Sequence, residues 1–321
     1  MKAAIYTQYG PPEVIAVKEV PTPIPKDDEV LVKVHAASVN SWDWDLVRGK
    51  PYVYRLLFGL PKPKHPIIGS DIAGKVEAVG KDVTQFQPGD EVFGDISGNN
   101  FGAFAEYTCA RENVLAIKPS QMTFEEAAAI PQAAVLALQG LRQGHIEEGK
   151  KVLINGAGGG VGTFAVQMAK SWGAEITGVD SAEKLEMLRA LGASHVIDYR
   201  QSDFTQQKHQ YDLILDMITR HSPFDYRRVL TPTGRYVMVG GLAHRILQLA
   251  LLSPLLSKAN GQNLGLLVHR PNPEDLNTIA AMIVNGQVTP VIDQCFPLSK
   301  VSEAIRYLGE GHAQGKVVIT M

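Results

Sequence analysis

A chain of 321 residues that is 45% hydrophobic and 20% charged has the composition of a folded globular protein, long enough for two ordinary domains. Its 31 Lys and Arg against 33 Asp and Glu leave a net charge of −2, which argues against a general nucleic-acid binder and against a membrane partner. Two cysteines, Cys109 and Cys295, cannot build a disulfide framework or a thiolate zinc cluster and are expected in the core.

The N-terminal MKAAIYTQYG has no long apolar run and reads as a first strand, so no secretory leader is expected and the default location is the cytoplasm. Glu29–Val39 alternates and is rich in β-branched residues, as a strand should be. HPIIGSDIAGKVEAVG, residues 65–80, reads as a strand, a tight turn and a second strand, with Ser70 beside Asp71 in apolar surroundings. Asp90–Asp95 and Gly102–Ala110 supply further strands, set off by turn signals such as Gln87-Pro88-Gly89-Asp90. Short strands between frequent turns predict a β-barrel-like first domain.

The pattern changes near residue 120. Thr123-Phe124-Glu125-Glu126 has the capping-box form and opens a helix. Strands and helices then alternate: Lys150–Asn155, helix Val161–Trp172, strand Glu175–Asp180, helix Ala182–Gly192, and strands around Val196, Leu213 and Val237. This rhythm predicts a parallel sheet covered by helices on both faces, an α/β doubly wound domain. Ile246–Leu256 is apolar, contains Pro254 and is too short to span a bilayer. It is expected to form an exposed apolar helix, used in a subunit interface or as a cover for the site. The last segment reads as strand, helix, strand and is expected to rejoin the first domain. The expected domains are therefore 1–122 with 271–321, and 123–270.

KKVLINGAGGGVGTFAVQMAK is the most informative segment. A strand runs into a glycine turn that opens a helix, where unpaired backbone N–H groups and the helix dipole favour a pyrophosphate. Gly156 and Gly158 begin a G-x-G whose third position falls on Val161. Counting back from Gly162 gives Ala157-x-Gly159-x-x-Gly162, the preferred register, because Gly162 then lies in the helix where close packing on the strand needs a small residue. With Asp180 ending the next strand, the order is that of a dinucleotide site, with Gly158, Gly159, Gly160 and Val161 as phosphate-facing residues. The alternative is a glycine-rich turn with no ligand. Asp180 favours a ribose 2′-OH and hence NAD, whereas Ser181 and Lys184 suit a 2′-phosphate and hence NADP. NADP(H) is the expected cofactor, with Asp180 turned away from the phosphate; the alternative for Lys184 is a solvated helix residue.

The segments GPPEVI, AASVNSWDW, PIIGSDIAGKVEAVG, QPGDEVFG, GAFAEY, GAGGGVG, GASHVIDY and HAQGKVVI run in order along nearly the whole chain. Together they resemble the zinc-independent quinone oxidoreductases of the medium-chain dehydrogenase/reductase superfamily. The resemblance implies a GroES-like β-barrel catalytic domain made of two chain segments, a Rossmann domain and a cofactor cleft. It implies NADPH-dependent reduction of a quinone, or of the activated double bond of an enal or enone, and a homodimer formed through edge strands of the Rossmann sheet. Zinc-dependent relatives carry G-H-E where this chain has Gly69-Ser70-Asp71, and their His is a zinc ligand; Ser70 is a poor one. Where they have a Cys before the third strand, this chain has Ser41. No zinc is therefore expected, and Asp71 is expected to tie down neighbouring loop N–H groups.

Without a metal, the protein must position a nicotinamide against an electrophilic carbon and stabilise charge on the carbonyl oxygen. Asn40 and Asp43 match the family's N-x-x-D, which implies that Asn40 lines the cofactor end and donates to a substrate or ribose oxygen while Asp43 orients the loop. Tyr52, with Tyr54 beside it, is a candidate donor to the developing enolate oxygen. Loop-shaping contacts are the alternative for all of these. Trp42, Trp44, Phe58 and Phe101 are candidate apolar walls. The resemblance also places Tyr199 by the adenosine, Val239-Gly240-Gly241 near the nicotinamide and Lys316 at the cleft. Leu136 stands where the family often has a Thr that touches the nicotinamide. The rival readings are a zinc-dependent alcohol dehydrogenase and an NADPH-binding sensor or structural protein without turnover.

Overall fold

In the computed structural model, which describes residues 1–99 and 101–321, the chain divides into two units. Unit 1 holds Met1–Ala133, Pro271–Val284 and Pro290–Met321; unit 2 holds Ala134–Arg270 and Asn285–Thr289.

Unit 1 opens with β1 (Lys2–Ile5) and β2 (Ala16–Glu19), an antiparallel pair. The long β3 (Glu29–Val39) leads into α1 (Ser41–Arg48) and the short α2 (Val53–Phe58). β4 (Asp71–Val79), β5 (Glu91–Asp95), β6 (Tyr107–Arg111) and β7 (Leu115–Ile117) follow. The segment before Gly69 does not become a strand: Ile67 makes one isolated bridge to Ile5, and Gly69 turns the chain at φ +90. Likewise the predicted strand at 102–110 starts only at Tyr107, because Phe101 and Gly102 both have positive φ. α3 (Phe124–Ala128) is opened by the expected capping box, Glu126 N donating to Thr123 Oγ1 at 3.1 Å and Thr123 N to the Glu126 carboxylate at 2.8 Å. α3 packs on β3 and β4, so the units divide at Ala133/Ala134 rather than at 122/123.

α4 (Pro131–Gln143) leads to β8 (Lys151–Asn155), α5 (Gly160–Ser171) and β9 (Glu175–Asp180). The next predicted helix splits into a 3₁₀ turn, Ala182–Lys184, and α6 (Leu185–Leu191). β10 (His195–Asp198), β11 (Tyr211–Asp216), α7 (Pro223–Arg228) and β12 (Leu230–Met238) continue the alternation. α8 (Ala243–Asn260) buries Leu249 and Leu256 and exposes Leu247 and Leu251, and β13 (Asn263–Leu266) ends the set. The six strands form one parallel sheet of order β10-β9-β8-β11-β12-β13. β8, whose inner residues are all buried and apolar, sits where the order reverses, the point at which α/β sheets open a crevice at the carboxyl ends of their strands.

The chain returns through α9 (Pro273–Val284), β14 (Ile292–Pro297), α10 (Val301–Gly309) and β15 (Lys316–Thr320). β15 pairs antiparallel with β3, so the tail completes the unit 1 sheet of order β14-β15-β3-β4-β5-β7, with β6 also on β3. The fold is α/β, with a GroES-like N-terminal domain and a six-stranded parallel Rossmann sheet.

Candidate functional site

In unit 2 the turn after β8 is shaped by steric limits at particular glycines. Gly156 holds φ +86. Gly162 is buried, and a Cβ there would lie 2.4 Å from both the Ala157 and Gly156 carbonyl oxygens, so the helix can approach the turn only without a side chain. That supports the register counted from Gly162. Gly159 caps α5 with no side-chain hydrogen bond, and among the described residues the N–H groups of Gly160 and Val161 have no backbone acceptor. Bare donors at a partly exposed helix start fit a pyrophosphate.

The next strand end is locked to this turn. One Asp180 oxygen accepts from Gly158 N at 2.8 Å and the other from Ser181 N at 2.9 Å. Lys184 is buried rather than solvated, its ammonium 3.8 Å from Asp180. Asp180 is thus engaged by its own loop and faced by a cation. Tyr199 N donates to the Asp180 carbonyl, which ties the end of β10 to the end of β9. The ring is partly exposed, with the Arg200 and Arg220 guanidiniums 5.6 and 5.2 Å from its centroid. Arg220 escaped the sequence reading; it follows β11, and no local motif ties it to Tyr199.

A second buried network shapes the turn after β12. Asp216 accepts from Asn155 Nδ2 at 2.8 Å, from the N–H groups of Ile218 and Thr219 at 2.9 Å each, and from the Tyr236 hydroxyl at 3.1 Å. Thr219, held at φ +53, donates its hydroxyl to the Gly240 carbonyl at 2.5 Å. A Cβ on Gly241 would meet the Thr219 side chain at 2.5 Å. Val239-Gly240-Gly241 is therefore a fixed turn, set by two residues, Asp216 and Thr219, that sequence reasoning passed over.

In unit 1 the polar centre is Asp71. It is fully buried and accepts from the Ser38 hydroxyl at 2.8 Å, Asn40 Nδ2 at 2.9 Å, Gln132 N at 3.0 Å and Lys316 Nζ at 3.4 Å. Lys316 is also buried and donates to Asn40 Oδ1 at 2.6 Å. The Asn40 amide can take only one orientation here, since a carboxylate only accepts and an ammonium only donates. Burial pushes the Asp71 carboxyl up and the Lys316 ammonium down, and each opposes the shift of the other. Lys316, expected to reach the cofactor, is instead fixed inside unit 1. Asn40, expected to donate outward, has its Oδ1 on Lys316 and its Nδ2 on Asp71, with Ser70 Oγ a longer contact at 3.4 Å. Asp43 is fully buried, accepting from Asn40 N at 2.8 Å and Gly69 N at 3.2 Å. Burial pushes it up to about 7 against the pull of those two bonds.

Two family models match: "Alcohol dehydrogenase GroES-like domain" over residues 26–120 and "Zinc-binding dehydrogenase" over residues 191–319. A 2-methylene-furan-3-one reductase of Solanum lycopersicum is 34% identical, across 99% of this chain and 79% of that protein. An NADPH-dependent alkenal/one oxidoreductase of Arabidopsis thaliana is 33% identical with the same coverage. The solved structure of the quinone oxidoreductase from Coxiella burnetii is 30% identical, with a TM-score of 0.90 over 100% of this chain and 99% of that one. The chain belongs to the quinone oxidoreductase and alkenal/one oxidoreductase family of the medium-chain dehydrogenases/reductases.

For this family member the remaining candidates separate cleanly. Tyr52 is 68% exposed, and among the described residues its hydroxyl makes no hydrogen bond. Trp42, Tyr54, Phe58 and Phe101 form one aromatic cluster with centroids 5.5–6.3 Å apart, so three of the four expected wall residues do meet, with Tyr54 added. Trp44 is not in that cluster; the Arg48 guanidinium lies 4.4 Å from its ring centroid. Leu136 is half-buried in α4. Ser70 is buried beside Asn40, and among the described residues no group of three or more His, Cys, Asp or Glu is placed to hold a metal ion.

Proposed function

We propose that this chain is an NADPH-dependent reductase of quinones, or of activated enal and enone double bonds, that transfers hydride without a bound metal. The observation that carries the reading is the unit 2 turn: among the described residues, N–H groups at Gly160 and Val161 without a backbone acceptor, and Lys184, Tyr199 and Arg220 beside the next strand ends. The 2′-phosphate preference is supported by Asp180, whose two oxygens are already engaged by Gly158 and Ser181. The name of the Arabidopsis relative agrees.

When bound, NADPH supplies the hydride that the electrophilic carbon accepts. The chain's own groups bind and orient. Gly160 and Val161 would hold the phosphates, Ser181 and Lys184 would hold the 2′-phosphate, and Val239-Gly240-Gly241 would hold the nicotinamide. Asn40 and Asp43 are committed to partners within unit 1, so they act as positioning residues. Tyr52 alone among the three catalytic candidates keeps a hydroxyl proton free to give to a substrate oxygen.

The test follows NADPH absorbance with a panel of quinones and enones. Consumption with NADPH and much less with NADH is expected. Tight NADPH binding with no turnover across the panel would make this a non-catalytic binder. Stoichiometric zinc with alcohol oxidation would replace the reading with that of a zinc-dependent dehydrogenase.

A further inference from the structure

The segment after α1 presents an apolar surface that the fold does not use. Along α2 and its exit, Val53, Leu56, Leu57 and Leu60 are 48%, 69%, 66% and 60% exposed. Val53, Leu56 and Leu57 stand at i, i+3 and i+4 in α2, which makes them neighbours on its surface, and Leu60 follows the non-helical Gly59. The inner side is occupied: Tyr54 and Phe58 pack on Trp42 and Phe101. A short, mostly apolar element that leaves Val53, Leu56 and Leu57 uncovered is unusual in water.

The surface is held out rigidly. The Tyr9 hydroxyl donates to the Gly59 carbonyl at 2.6 Å, Arg55 Nε to the Gly49 carbonyl at 3.1 Å, and Lys64 N to the Phe58 carbonyl at 2.7 Å. Both ends of the apolar run are basic. Lys50 precedes it, Lys62 and Lys64 follow it, all three are exposed, and among the described residues none makes an ion pair. Between Asp45 and Asp71 there is no acidic residue at all. The near-neutral total charge hides this local excess.

We propose that the 50–64 segment is an interfacial docking element for an anionic lipid bilayer. Leucines enter the headgroup boundary while lysines pair with lipid phosphates and carboxylates. Charge complementarity selects this occupant: exposed aliphatic residues ringed by unpaired lysines without acids match a bilayer of negative surface potential. Among the described residues no helix is long and apolar enough to cross a membrane, so the element lies on the surface and does not span it.

The test is co-sedimentation of the full chain with vesicles of phosphatidylcholine alone or with added phosphatidylserine, in the absence of nucleotide and substrate. Its outcome is thereby independent of whether the reductase reading holds. Sedimentation with the anionic vesicles, weakened by salt, is expected, and little with neutral ones. L56D/L57D should lower the partition coefficient by roughly tenfold or more. K62E/K64E should lower it by about 25-fold or more, at roughly fivefold per lysine lost. All four side chains are exposed, so both variants should keep the wild-type melting temperature, and circular dichroism checks this. Absence of sedimentation with anionic vesicles, or undiminished binding by L56D/L57D, would overturn the proposal. A change of oligomeric state in L56D/L57D would overturn it as well, assigning the surface to a second copy of the chain.

Discussion

Replacing Lys316 by Met tests whether the buried cluster of unit 1 is one interacting unit. The substitution keeps most of the side-chain volume and removes the ammonium. Asn40 Oδ1 loses its donor at 2.6 Å, and a buried acceptor left unsatisfied costs about 1–3 kcal/mol. Asp71 keeps Ser38, Asn40 and Gln132 as donors but loses its cation at 3.4 Å. Breaking a buried ion pair from one side costs about 3–5 kcal/mol, and three retained donors place this case near the lower end, at about 3 kcal/mol. For a domain of this size that lowers Tm by about 6–12 °C.

The pH dependence has a definite sign. In Lys316→Met the folded Asp71 stays buried without the cation that holds its pKa down, so burial raises it further above the unfolded value of about 3.9. The folded state then holds the proton more tightly. The deficit should be smallest in acid and grow as pH rises. Thermal melts at several pH values, on Lys316→Met, Asp71→Asn and the double variant, measure both the loss and the coupling. A loss below about 1 kcal/mol, or a cycle with no coupling between the two positions, would refute the account of a single buried network.

Other outcomes follow from the geometry. Gly162→Ala should destabilise unit 2 by about 2 kcal/mol or more despite alanine's better helix propensity, because its Cβ would meet backbone oxygens at 2.4 Å; urea denaturation measures it. Gly158→Ala meets Lys184 Cδ at 2.7 Å and its Cβ at 2.9 Å, so calorimetry should show about tenfold weaker NADPH binding together with a lowered Tm. Lys184→Ala should weaken NADPH by about tenfold and NADH hardly at all, and equal effects would remove the 2′-phosphate assignment. Tyr52→Phe should lower kcat by about a hundredfold with an unchanged KM for NADPH if its hydroxyl supplies the proton. Burial raises Asp43 to about 7, so the folded state favours its protonated form; that contribution is present below about pH 4 and lost as pH rises through 7, and Asp43→Asn should flatten stability across that window.

Elements whose signals are local were legible in the sequence. β3 and β9 begin and end at the residues their alternation and flanking turns predict, and the Thr123 box opens α3 where expected. The Gly162 register was legible too, because it rests on a helix position that admits no side chain. What was not legible depends on long-range pairing. Lys316 and Asp71 are 245 residues apart, and nothing near either one names the other. Asp216 ends β11 and Thr219 and Arg220 follow it without a motif, and their importance comes from what β8, β10 and β12 bring to them. Which side chains of 51–60 are left outside is set by the aromatic cluster behind α2, whose members are far apart in sequence.

In the Ser70-Asp71 pair the buried contacts gather on one member. The zinc-dependent relatives that the sequence resembles place a metal ligand at the position of Ser70. Here the weight of the site lies on Asp71, which draws together β3 through Ser38, the residue before α1 through Asn40, the start of α4 through Gln132, and β15 through Lys316. A buried carboxylate with four donors requires each of them to be in place, since any one missing leaves charge uncompensated in a dry interior. Lys316 begins β15, and the next residue, Val317, pairs with Val39 immediately before Asn40. The ion pair therefore sets the register in which the returning tail closes a domain built from separated stretches of chain. Ser70 needs only to be small and buried for that to happen, which makes Asp71, not the hydroxyl, the residue whose loss would open unit 1.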